Sequence, residues 1–431
     1  MSNKQLGLYT LSGLVVANMI GAGIFTASGF ALGDLGSPRL VMLAWLAGGV
    51  IAITGAISYG YLVKLNPQSG GEYLFLSRNI HPLLGFIAGW VSLLAGFTGA
   101  IAYSAMTLET YLLGAEFRGS IPENTIATSV IVLALFVHGI RLSFGAVTQN
   151  IAVIFKLIFI TGFILYGLFA LPIDSWQGMQ TSTAIQSDPV TIFTFAVTLM
   201  WVSFSYSGFN AATYIAGEVD NAKTLVPRAL LMGTGLTVIV YVLLNMIFVL
   251  IPPSSSIAFQ EDVAAIAAQF IGGDQFAIVV RILIVMALFT SVSAMIMIGP
   301  RVYAKMADDG LMPQLLKLQG GIPRAAIVVQ SVLAVVVVWI STLRELLSYL
   351  GFMLGLSTAA TVVSVFVVVH KNPQCKVQLP AYPWPAIVYV FFTLIIAAMA
   401  AVNEPREMLA ALITLVSGVV LYMIINRKTP A

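Results

Sequence analysis

The sequence predicts an all-α integral membrane protein with twelve transmembrane helices, and three observations carry that reading. First, of 431 residues 59% are hydrophobic and only 9% charged, against about 25% charged in a typical soluble protein. The 20 Lys and Arg and 17 Asp and Glu are too few to cover a large globular surface. A soluble enzyme, a nucleic-acid binder and a disordered scaffold are all poor fits. Second, apolar runs of about 20 residues, the length that crosses a hydrocarbon core, recur along the whole chain. Third, runs such as 151–158 and 334–340 lack the alternation of a transmembrane barrel strand. The single cysteine, Cys375, rules out an internal disulfide framework.

Charge, proline and glycine bound each run in turn. Lys4 precedes the first, 8–32, and Asp34 follows it; the second, 40–62, lies between Arg39 and Lys64; the third, 84–113, between Pro82 and Gly114. Glu123 and Arg141 flank the fourth, 126–140; Gly145 and Pro172 flank the fifth, 146–171; Pro189 and Gly217 flank the sixth, 191–216. The seventh, 229–251, runs from Arg228 to Pro252, and the eighth, 276–298, from Asp274 to Gly299. Arg324 opens the ninth, 325–340, and the tenth, 346–369, sits between Glu345 and Lys371. The eleventh, 387–402, ends before Glu404, and the twelfth, 408–425, before Arg427. The fourth, ninth and eleventh are short. The first run is long and lacks a small-residue cleavage site before polar sequence, so it is read as a span and not as a signal peptide. Segment 252–274 is long for a loop and contains a helical-looking stretch, 258–270. It reads either as an extracellular helix covering an entrance or as an ordinary surface loop.

Orientation follows from the basic residues, which favour cytoplasmic segments. With the N-terminus inside, 14 of the 20 Lys and Arg fall on that side, among them Lys4, Lys64, Arg141, Arg228, Lys305, Lys371 and Lys428. Only Arg39, Arg118, Arg281, Arg344 and Arg406 fall outside or at outer helix ends, and Lys156 is the remaining one. The chain is thus expected in the cell membrane with both termini cytoplasmic.

Two spans carry breaks. The first contains Asn18-Met19-Ile20-Gly21-Ala22-Gly23-Ile24-Phe25 near its middle. Each glycine weakens a helix by about 1 kcal/mol relative to Ala and leaves the backbone open to close approach. Irregular backbone at membrane depth is tolerated where it lines a cavity or is buried in protein; small residues also let two helices pack closely. The sixth run repeats the signal in Phe204-Ser205-Tyr206-Ser207-Gly208-Phe209-Asn210, followed by a helical 211–216. The breaks fall in the first and sixth spans, so each opens a set of five. Paired interrupted helices in corresponding halves point to a binding site at the repeat interface. Half-helix amino ends favour a carboxylate and exposed carbonyls an ammonium, so a zwitterion fits without any charged side chain.

Lys156 is the one ionisable residue well inside a span. An unpaired ammonium there costs about 2.5–3.5 kcal/mol on insertion scales, so it is expected to face the bundle and donate to the open backbone of span one or to Thr290, Ser291 or Ser293. It reads either as a proton carrier or as a permanently charged strut. No Asp or Glu is expected near either break, Glu218 following the sixth span at its cytoplasmic end, which argues against a polycationic cargo. His81, His138 and His370 sit at span ends or loops, so neither a metal site nor a catalytic pair is expected, and no phosphate-binding loop with lysine is present.

These residues resemble the amino acid–polyamine–organocation (APC) superfamily. Gly21-Ala22-Gly23-Ile24-Phe25 is similar to its first-helix signature and Pro67-Gln68-Ser69-Gly70-Gly71-Glu72-Tyr73 to its first cytoplasmic loop. Phe204 to Glu218 with Pro227-Arg228 resembles its sixth helix, and Arg301 to Gly310 with Pro313 the segment after its eighth. The resemblance implies a LeuT-like fold, a five-plus-five inverted repeat with broken helices 1 and 6. Residues 1–171 would form the first repeat, 172–370 the second, and 371–431 two accessory helices. It implies a sodium-independent secondary transporter of small neutral amino acids working by alternating access, as exchanger or proton symporter, with no cofactor. The backbone of Gly21, Ala22 and Gly23 would hold the substrate carboxylate. Carbonyls of Met19, Phe204, Ser205 and Ser207 would hold its amine, with Ile20 and Gly208 completing the site. Phe204 would close over the substrate and Asn210 line its lower part. Lys156, with Ser291 and Ser293, would occupy the place where sodium binds in sodium-coupled relatives. Wording in the sixth helix is similar to the L-type exchangers. Their animal members are disulfide-linked to a glycoprotein through a cysteine after helix three; residues 114–125 here contain none, so no such heavy subunit is expected. A polyamine or cationic amino-acid carrier and a non-transporting sensor stand as alternatives. A site expected to be free of carboxylates argues against the first and the short tail, 427–431, against the second.

Overall fold

A computed structural model describes residues 7–117, 119, 121–140, 145–171, 190–317 and 323–427. The first apolar run forms two helices, α1 (Leu8–Met19) and α2 (Gly23–Leu35), bent by 45° where Ile20, Gly21 and Ala22 leave helical hydrogen bonding. α3 (Pro38–Leu65) opens on a proline, whose missing N–H is an orphan at that position anyway. α4 (Gly71–Asn79) is short and is entered through Gly70 and Gly71, both at positive φ (142° and 55°). α5 (Pro82–Gly114) contains a π-helical stretch, Ser92–Gly99.

α6 (Thr125–Ile140), α7 (Gly145–Ala170) and α8 (Ile192–Ser205) follow. Then come α9 (Ala222–Leu250), α10 (Val263–Asp308), α11 (Arg324–Ile340), α12 (Leu343–Lys371), α13 (Trp384–Asn403) and α14 (Pro405–Arg427). Among the described residues, seven helices are long and apolar enough to cross a membrane, or eight if the bent pair α1–α2 is one span. Four shorter apolar helices, Thr125–His138, Ile154–Ala170, Ile192–Ser205 and Arg324–Ile340, have 10–17 residues. Each of the twelve expected runs overlaps one of these helices, the sixth only over Ile192–Ser205. Lys4, Arg118, Arg141 and Lys428, used for the expected orientation, lie outside the described residues.

Two boundaries differ from expectation. The stretch 211–216 is not α-helix but part of a 3-10 helix, Ala211–Glu218, because the chain leaves α8 through a turn at 206–210 with Gly208 at φ 96°. The loop helix starts at Val263, not 258: Phe259 takes φ 62° and its N–H bonds Gly29 O (2.9 Å), so the chain up to Asp262 is tied to α2. Ahead of it is a single turn, Ser254–Ile257. Gly272 and Gly273 then kink α10, which continues to Asp308.

One apolar core joins α1, α2, α3, α5, α8, α9, α10 and α12, with Trp45, Trp201, Tyr206 and Tyr241 among its fully buried side chains. α9 packs along α1 and α3, and α10 along α5. Ser28 of α2 donates to Asn245 Oδ1 of α9 and accepts from Trp45 Nε1 of α3 (3.1 Å), which fixes the second half of the bent helix. The outer surface exposes Phe136, Ile158, Phe169, Ile282 and Trp339, as a bilayer-facing exterior does. Polar contacts gather at the two ends. At one, Tyr73 of α4 donates to Asp309 (2.9 Å) and Lys371 to Asn79 O (3.0 Å). At the other, Arg344 pairs with Asp34 (2.8 Å) and Arg281 with Asp262 (2.6 Å).

Candidate functional site

The two interrupted helices touch each other at their breaks. A β-carbon at Gly23 would lie 2.5 Å from Ser205 Oγ and 3.1 Å from Ser205 Cα; one at Gly208 would lie 3.0 Å from the Asn18 carbonyl. These two glycines therefore serve close packing. Gly21 does not: it is half-buried, and a β-carbon there would meet only Met19 O at 3.9 Å. At the second break Phe204, Ser207 and Gly208 are half-buried too, while Asn18 of α1 is exposed. Open backbone and close packing thus coexist at adjacent positions of the same motif.

α2 begins at Gly23 with Ala22 as N-cap and no side-chain cap. Uncapped first-turn N–H groups and the positive end of the helix dipole suit a carboxylate. Among the carbonyls expected to face an amine, most have acquired partners. Tyr241 of α9 donates to Met19 O (2.5 Å), and its hydroxyl also lies 3.1 Å from Ser205 O. Phe204 O accepts Ser207 N–H at 2.8 Å. Each carbonyl keeps a second lone pair for a ligand. Phe204 meets Tyr103 edge-on (centroids 5.5 Å apart), and Tyr103 is hydrogen-bonded to Thr26 of α2.

Lys156 of α7 is buried and donates to Ile20 O. That carbonyl lost its helical partner when α1 ended, so the ammonium replaces a backbone donor. The hydroxyls named alongside it go elsewhere. Ser291 donates to Ala287 O (3.0 Å), as does Thr290 (2.8 Å), and Ser293 pairs with His138 (2.7 Å). Ser291 and Ser293 are thus not drawn to Lys156.

One expectation needs correction. Glu72, from α4, is a buried carboxylate that accepts from the Asn210 side-chain amide, from Tyr214 and from Tyr59 (2.9 Å). A carboxylate therefore does adjoin the second break. It was invisible along the chain because it arrives from 138 residues away. Tyr241, Tyr59 and Tyr214 escaped the sequence reading as well; each is an aromatic in an apolar stretch, indistinguishable there from core. The one available signal was Glu72's place after two glycines, Gly70-Gly71. Among the described residues no group of three His, Cys, Asp or Glu could hold a metal ion.

Two broken helices meeting inside an apolar helical bundle are an arrangement in which membrane transporters build binding sites, and the family and relatives that the chain matches mark it as a transporter rather than an enzyme. The chain belongs to the amino acid permease family, matching it over residues 6–425, and so to the APC superfamily. It is 24% identical over 433 residues to the human large neutral amino acids transporter small subunit 2, covering 98% of this chain and 80% of that one. The serine/threonine exchanger SteT of Bacillus subtilis is 24% identical over 437 residues, 99% of this chain and 98% of SteT. The human Asc-type amino acid transporter 1 is 22% identical over 431 residues, 98% of this chain and 82% of that one.

Proposed function

We propose that the chain carries small neutral amino acids across the cell membrane by alternating access, independently of sodium, and that it works by exchange. The observation that carries this reading is the junction itself. An uncapped α2 amino end packs against the α8 break through Gly23 and Ser205, and α7 brings an ammonium, Lys156, onto Ile20 O. Such a site suits a ligand that brings both charges, and a lysine ammonium bound to the backbone there opposes a second cation such as sodium. Exchange is favoured over proton symport by the kinship with SteT, itself named an exchanger. Glu72 is read as an acceptor that holds the protein's own side chains rather than a cationic cargo, because Tyr59, Asn210 and Tyr214 all point donors at it.

In this reading all twelve apolar helices cross the bilayer, with 1–171 and 172–370 as inverted repeats and 371–431 as accessory helices. The α4 end and both termini face the cytoplasm. The sole cysteine, Cys375, then lies on the cytoplasmic side, and no disulfide-linked heavy subunit is needed. Proteoliposomes loaded with unlabelled alanine, serine or leucine are expected to take up the labelled amino acid without sodium, and empty ones to take up far less. Uptake that ignores internal amino acid but follows an inward proton gradient would replace exchange by symport. Absence of saturable uptake under both conditions would overturn the amino-acid reading.

A further inference from the structure

The α4 segment grips the second half of the interrupted sixth helix at three points. Ser69 Oγ accepts the Gly217 N–H (2.9 Å). Gly71, at φ 55°, lies so close to the Tyr214 ring that a β-carbon there would collide with it. Glu72 accepts from both Asn210 and Tyr214, and Tyr59 of α3 holds the same carboxylate from behind. Glu72 is 5% exposed, Asn210 8% and Tyr59 fully buried, so water does not compete for the bonds that Asn210 and Tyr59 make to the carboxylate.

An ionised carboxylate only accepts hydrogen bonds, whereas an asparagine amide has a donating end and an accepting end. Facing Glu72, Asn210 must present its nitrogen. We propose that Glu72 is a positioning residue for the binding site: it fixes Asn210 by the amide nitrogen, leaves the amide oxygen to face the ligand, and clasps the 206–218 segment to α3 and α4. The inference rests on the assignment of Asn210 to the ligand site. It gives a reason for a buried acid that meets no substrate charge. Any acceptor at this position serves, and a formal charge is not required.

Three variants separate the possibilities, read by steady-state exchange of labelled alanine in proteoliposomes. E72M keeps the bulk and removes the acceptor, and its KM is expected to rise about tenfold, the loss of one hydrogen bond to a charged group. E72Q keeps an acceptor facing Asn210 and is expected to rescue KM to within about threefold of wild type. In an N210A background, E72M is expected to add less than about threefold. A second readout does not depend on the cargo. In a C375S background, a cysteine at position 207 is expected to react faster with N-ethylmaleimide in E72M than in wild type, and at the wild-type rate in E72Q. If wild type takes up no amino acid, the amino-acid reading fails and the labelling rates alone decide on Glu72. E72Q as impaired as E72M would overturn the proposal in favour of a charge role. Unchanged KM and labelling in E72M, or full additivity with N210A, would overturn it outright.

Discussion

Lys156 and Ile20 are tied by what a helix break costs. Ending α1 frees the Ile20 carbonyl, and in a bilayer an unpaired carbonyl costs several kcal/mol; the lysine supplies the missing donor. Replacing Lys156 by Ala removes the donor at the site itself, so uptake is expected to fall about tenfold or more for the loss of one charge-assisted bond. The unfolding midpoint in detergent is expected to move far less, since the variant also removes a buried charge. Wild-type flux in K156A would refute the role. The glycines make a matched pair of tests. G23A forces a β-carbon to 2.5 Å from Ser205 Oγ, and such overpacking costs about 1–3 kcal/mol, so uptake is expected to be lost. G13A meets nothing within 4 Å and is expected to leave uptake intact. The motif Gly21-Ala22-Gly23 was legible as a break in the sequence, but which glycine packs and which stays open depends on the partner helix. Glu72 marks the same limit more sharply: two of its three partners, Asn210 and Tyr214, lie 138 and 142 residues away, and no local pattern announces them.

Among the elements, the segment between α9 and α10 was the least legible. Segment 252–274 read equally as a covering helix over 258–270 or as a surface loop, and what sets the helix start is long-range: Phe259 N–H bonds Gly29 O, and the Phe259 ring lies over Gly33. Gly29 and Gly33, four apart on α2, form a groove in which that segment rests, over the second half of the bent first helix. The twelve apolar runs were readable because a bilayer demands length and composition, which sequence displays directly. The 3-10 form of 211–218 was not, because hydrogen-bond register after a turn is set by tertiary packing. A methyl group at Gly29 would collide with the Gln260 carbonyl. In a C375S background, G29A is therefore expected to raise the maleimide labelling rate of a cysteine at position 260 severalfold, while a substitution at Gly235, which meets nothing within 4 Å, does not. Equal labelling rates in the two would show that the segment is held by other contacts.

Across the whole molecule, scarce charge is spent at a few junctions, and the one formed by Arg344 spans the most elements. Its guanidinium takes Asp34 of α2 through two bonds (2.8 and 3.1 Å), sits 4.9 Å over the ring of Trp201 in α8, and reaches Glu404 between α13 and α14 at 3.8 Å. Both broken helices are thus joined through α12 to the last two helices. Glu404 is the weak member. Burial, then the charge of Glu407, push its pKa up to about 7, and Arg344, already committed to Asp34, offsets only part of this. A carboxyl whose folded pKa exceeds its unfolded value of 4.5 binds its proton more tightly in the folded state. Its contribution is fully present below the unfolded pKa and is lost as pH rises through about 7. Wild type is therefore expected to lose stability between about pH 5 and about pH 8 relative to E404Q, which keeps a neutral side chain throughout. Thermal unfolding of both proteins in the same detergent checks this: the gap in Tm in favour of E404Q should widen steadily over that range. A gap that stays constant, or that narrows because the Arg344–Glu404 pair strengthens on ionisation, would show that the junction holds Glu404 as a charged partner of Arg344.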